Sequence, residues 1–184
     1  MRSPSRLVTV ALLLAVFRVG CSTTSIPAFH APYFQSRDGG FSYRIPAGWY
    51  DASADSQSTG HAVWLLRNDY GATIAVNELH VDSAARGVLR DGGITQLATL
   101  SMTLAAAGKA YVLGQAPQTS HVNGRVSCVY QLVTTPASDV LRVVLVDTGR
   151  KVYMVTALVP AETKVTARDD VFSVQEAFLN SVRW

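Results

Sequence analysis

The sequence predicts an α+β domain: an antiparallel sheet of about six to eight strands, joined as hairpins and flanked by two helices. Three observations carry this expectation. Short runs alternating apolar and polar residues recur between turn signals such as Asp38-Gly39-Gly40, Asn123-Gly124 and Thr148-Gly149. Two segments, 94–105 and 166–184, instead repeat their apolar residues at the helical period. Of the 184 residues 48% are hydrophobic and 16% charged, enough apolar content for one core and too little charge for a disordered chain.

In chain order, Tyr33 to Arg37 and Phe41 to Ile45 read as a first hairpin, with Pro46 stopping the second strand because it has no N–H for the ladder. Asp51 to Gly60 reads as a polar loop. His61 to Arg67 and Ala72 to His80 read as a second hairpin. A helix follows whose buried stripe is Ile94, Leu97, Ala98, Leu104 and Ala105, with Gly108 as its stop. Four strands come next, Ala110 to Gln115, Arg125 to Thr134, Val140 to Asp147 and Lys151 to Val159. The last helix, Thr166 to Trp184, has Thr166 as cap, Asp169 and Asp170 near its positive end and Arg183 near its negative end. Val171, Val174, Gln175, Phe178 and Val182 trace its buried stripe.

Ahead of this domain stands an export signal. Arg2 and Arg6 precede the apolar run Leu7 to Phe17. At ~1.5 Å per residue such a run falls far short of the hydrocarbon core, about 30 Å thick, and fits the h-region of a secretory signal. Arg18-Val19-Gly20-Cys21 resembles a bacterial lipobox, with Arg18 standing where Leu is expected. That resemblance implies alkylation of the Cys21 thiolate by a diacylglyceryl donor, then cleavage and a further acyl chain such as palmitate on the freed amine. Ordinary export with cleavage nearby is the alternative. The expected organisation is a signal peptide over 1–20, a lipid-anchored tether over 21–32 and a globular domain over 33–184. Ser22 after the cysteine leans towards the outer membrane, in a cell that has one. Arg2, Arg6 and Arg18 account for three of the 16 basic residues, so the remaining 13 balance the 13 acidic ones and no basic surface argues for nucleic acid.

Phe41-Ser42-Tyr43-Arg44-Ile45-Pro46-Ala47-Gly48-Trp49, the Val122-Asn123-Gly124-Arg125 turn and the closing Phe178-Leu179-Asn180-Ser181-Val182 resemble the PsbP-like proteins over about residues 33 to 184. The resemblance implies an α/β/α sandwich. The family includes an extrinsic subunit of photosystem II, a Ran-binding nuclear import factor and bacterial periplasmic lipoproteins. These functions differ too widely for the fold to choose among them, but the resemblance implies a binding or assembly factor rather than an enzyme, as members typically are.

The residues themselves point the same way. CxxC, HExxH, GxSxG, P-loop and GxGxxG signatures are missing from the sequence, so neither an enzyme nor a cofactor is expected. His61, Glu78 and His80 form a weak ligand cluster at hairpin ends, for which solvated polar residues are the simpler reading and no metal is expected. Asp169 and Asp170 point about 100° apart on a helix and do not converge as acid and base. Cys128 shares one apolar strand face with Val126, Tyr130 and Leu132, as a buried structural thiol would. The other face carries Gln131 and Arg142 among valines and is a candidate partner surface. The expected function is that of an exported, lipid-anchored, non-catalytic protein-binding or assembly module with an envelope protein as partner. The alternative is a small-ligand carrier or minor hydrolytic enzyme with a pocket between sheet and helix.

Overall fold

The computed structural model describes residues 27–55, 60–108, 110–163 and 165–184. The leader, Cys21 and most of the tether therefore lie outside the described residues. In chain order the elements are β1 (Phe34–Gln35), β2 (Ser42–Tyr43), β3 (Trp49–Asp51), β4 (Val63–Arg67), β5 (Thr73–Leu79), α1 (Ser83–Ala107), β6 (Tyr111–Val122), β7 (Arg125–Thr134), β8 (Val140–Asp147), β9 (Val152–Val159) and α2 (Val165–Ser181). β1 and β2 form a small antiparallel ribbon. The other strands form one seven-stranded antiparallel sheet in the order β3-β4-β5-β9-β8-β7-β6. The predicted class holds: α+β, with helices on opposite faces.

Strand alternation decides which helix each residue meets. Cys128, Tyr130 and Leu132 of β7 and Val143 and Leu145 of β8 face α1, packing on Ile94, Leu97 and Ala98. Cys128 is fully buried, as its strand pattern predicts, and burial pushes its thiol up from the usual range. On the opposite face Val144, Val146, Val155 and Ala157 meet Val171, Phe178, Leu179 and Val182. The small ribbon closes that side with Phe41 and Tyr43.

The structure corrects several boundaries. β3 occupies Trp49–Asp51, where the sequence suggested only a turn and loop, because three residues suffice to pair with β4 (Trp49 with Arg67). β6 continues through Pro117 to Val122. It is an edge strand, and two register shifts between Leu113 and Gln118 absorb the missing donor. α1 begins early, where the Asp82 side chain accepts from Ala85 N at 2.8 Å, and breaks at Gly93 (φ 69°). Leu104, expected in the buried stripe of α1, is 65% exposed, because the helix buries only Ile94, Leu97 and Ala98 against the sheet; Val126, at the far end of its apolar strand face, is 52% exposed. Asp169 and Asp170 fall beyond the first turn of α2. The side chain of Thr166 lies outside the described residues. Arg183 lies past the helix end, where its backbone exchanges hydrogen bonds with Ser42 at 2.8 and 3.0 Å. The chain is already attached to the fold at residues 28–30, since Phe29 bridges Pro46 and His30 N–H donates to Ile45 C=O at 2.9 Å.

Candidate functional site

A polar rung crosses three strands on the α2 side. Register places Gln115 of β6 beside Gln131 of β7, and Gln131 beside Arg142 of β8. α2 covers β9 and its neighbours but stops short of β6, so this rung floors an open groove of about 350 Å³. Phe172, Asp169 and Glu176 of α2 form its wall. The two residues singled out from the sequence are thus brought together, both half-buried, in a concavity between sheet and helix.

Their roles differ. Arg142 Nη1 donates to the Phe172 carbonyl at 3.0 Å and to Gln175 Oε1 at 3.2 Å, and its guanidinium lies 5.6 Å from the centre of the Phe172 ring. Burial pulls its pKa down while the nearby Glu176 charge works the other way. Gln175 itself is fully buried, its Nε2 donating to the Val155 carbonyl at 3.1 Å, which satisfies a polar group in the core stripe. Arg142 therefore braces α2 as well as lining the groove. The Gln131 side chain makes no hydrogen bond among the described residues, and its amide is available to a ligand. The groove combines amides, one guanidinium, two carboxylates and Ser173, a set that can hydrogen-bond a polar chain.

Of the weak cluster, His61 and Glu78 border one shallow cavity, but each has its own partner and His80 stands apart. His61 Nδ1 lies 2.6 Å from Asn77 Oδ1, and Glu78 accepts from Lys151 Nζ at 2.6 Å. His80 is exposed just beyond the end of β5. Among the described residues no three His, Cys, Asp or Glu side chains are placed to hold a metal ion. What Glu78 joins instead is a clamp that sequence reasoning missed. Lys151 also reaches Asp38 at 3.3 Å, and the Tyr153 hydroxyl donates to the same carboxylate at 2.9 Å. Burial would raise the Asp38 pKa, but hydrogen bonds from Ser36, Gly40 N–H, Tyr153 and Lys151 together hold it below the usual range. A Cβ on Gly40 would collide with the Tyr153 hydroxyl, so only glycine lets the β1–β2 loop come this close. The local clues were Asp38-Gly39-Gly40 and the Arg150-Lys151 tip; their pairing across the chain left no local signal.

No protein-family model matches the chain, nor does any curated protein sequence. Solved structures do match. Cyanobacterial PsbP (CyanoP) from Synechocystis sp. PCC 6803 aligns with a TM-score of 0.54 at 18% identity, covering 89% of this chain and 96% of that one. The Saccharomyces cerevisiae Ran-binding protein Mog1p aligns with a TM-score of 0.58 at 10% identity, covering 85% of this chain and 96% of that one. The chain has the PsbP-like fold. Its PsbP-like motifs prove to be closure points. Trp49 and Phe41 are buried, and Gly48 turns at φ 82°. Asn123 Nδ2 donates to the Leu179 and Val182 carbonyls at 3.2 and 2.7 Å, locking the Val122–Arg125 turn onto the end of α2.

Proposed function

We propose that this protein is an exported, lipid-anchored envelope protein whose PsbP-like domain binds another protein without catalysing a reaction on it. The groove beside α2 carries the reading, because its floor presents the unengaged Gln131 amide next to a rigidly held Arg142. Val129 and Phe172 set among amides, one guanidinium and two carboxylates give the mixed composition of a non-obligate interface. Support for the anchor is the leader and Cys21; no helix among the described residues is long and apolar enough to cross a membrane. Several acyl chains hold a protein at a bilayer where one binds only marginally. The partner relationship draws further support from the fold shared with a Ran-binding protein. Envelope location, with an outer-membrane preference from Ser22, belongs to the same proposal.

Two variants test it. Cys21→Ser should abolish lipid labelling and release the chain from the membrane fraction with its melting temperature unchanged; a wild type that carries no lipid overturns the anchor. Gln131→Glu should weaken crosslinked capture of the envelope partner without destabilising the domain. It is a cleaner probe than Arg142→Glu, which would also unbrace α2. Unchanged capture overturns the groove. A small molecule retained in the groove with no protein captured would instead favour the carrier reading, which the cavity volume also suits.

A further inference from the structure

A second cavity, about 500 Å³, lies at the other end of the sheet. Its walls come from the β1–β2 loop, the start of β7, the β8–β9 turn and Trp184. Each wall is fixed in place. The loop is pinned through Asp38 to Tyr153 and Lys151. Arg125 Nη1 donates to the Thr148 carbonyl at 3.0 Å, tying β7 to the turn. Trp184 packs at 5.0 Å on Phe41 and 5.1 Å on Tyr153, ring centre to ring centre. The walls of the cavity are therefore preorganised, which lowers the cost of binding.

Its charges do not balance. Lys151 is matched by Asp38 and Glu78. Arg125 and Arg150 line the cavity with no carboxylate partner among the described residues, and the Trp184 indole N–H is buried without an acceptor. That N–H has no exposed surface and does not reach the cavity, which leaves the two guanidiniums as the unmatched groups that border it. A pair of guanidiniums on one space suits an anion with several acceptor oxygens. The aromatic floor of Tyr153 and Trp184 leaves room for an organic body attached to it.

We propose that this cavity is an oxyanion site that takes a phosphate monoester group, with Arg125 and Arg150 as its donors. The group can be carried by a soluble ester or by a lipid headgroup, and phosphatidic acid presents the same chemistry on a membrane. The site lies apart from the α2 groove and shares no residue with it, so either reading can fail without the other.

The test titrates the full chain with phenyl phosphate by calorimetry at constant ionic strength. In parallel the full chain carrying Cys21→Ser is sedimented with phosphatidylcholine vesicles, with and without phosphatidic acid. Arg150→Gln should weaken whichever ligand binds by about tenfold or more with no change in melting temperature, since Arg150 is exposed and holds nothing else in place. Arg125→Gln should weaken binding as well, with a small loss of melting temperature because Arg125 also ties β7 to the β8–β9 turn. Binding of phenyl phosphate assigns a soluble source; recruitment to phosphatidic acid alone assigns the headgroup. No binding in either arm, binding that survives both substitutions, or acetate binding as tightly as phenyl phosphate overturns the site.

Discussion

The two helices differ in the opposite sense from their lengths. α1 has 25 residues yet fully buries only Ile94, Leu97 and Ala98, all just after the Gly93 break. α2 has 17 and buries Val171, Gln175, Phe178 and Leu179 along its length, with Asn123 holding its end. On the α1 face, Trp64, Leu66 and Leu158 stay only half-buried beyond the helix's reach. On the α2 face, the small ribbon and Trp184 extend the cover with a cluster of rings. Helix length thus says little about anchoring; the continuity of the buried stripe and the grip on its end say more.

Four substitutions sharpen or break this contrast. The largest effect is expected at Phe178, fully buried where α2 meets Tyr43; Phe178→Ala should cost about 3–5 kcal/mol in denaturant unfolding. Leu97→Ala, in the short anchored part of α1, should cost about 2–3 kcal/mol. A Leu97 effect equal to or above that of Phe178 would reverse the proposed order of the two faces. Asp38→Asn should cost about 1 kcal/mol at neutral pH, kept small because solvent screens the partly exposed clamp. Its pH dependence carries a sign. Because folding lowers the Asp38 pKa, its contribution is complete above the ordinary value near 3.8 and is lost as pH falls through the folded value. Thermal unfolding of the variant and the parent should therefore converge in acid. The smallest effect belongs to Leu104→Ala, which should stay within about 0.5 kcal/mol since the side chain packs on little. A larger loss there would mean that the distal turn of α1 is covered in solution.

The legible parts of the fold were those governed by neighbours in sequence. β8 was bounded at Val140 and Asp147 from alternation alone, and alternation also sorted the residues of β7 and β8 onto their two faces. The run of β6 past Gln115 and through Pro117 had no local signal, because proline is tolerated in a sheet only at an edge and edge position is a property of the assembled sheet. β3 escaped because its order comes from β4 rather than from its own three residues. For the site, Gln131 and Arg142 were visible as polar intrusions in a valine face. Gln115 was not, since the bulged register that lines it up with Gln131 has no local signature. Lys151 and Asp38 lie 113 residues apart, and no window of sequence holds both.

The pairing of β5 with β9 also sets a timetable. Ile74 and Val76 of β5 lie beside Ala157 and Val155 in the sheet, and Ser42 of β2 is bridged by Arg183. While the chain is being made, everything from β1 to β5 must wait with one apolar face bare until β9 and α2 emerge. Such a polypeptide is slow to commit to its final shape, and for as long as it waits it remains threadable as an extended strand.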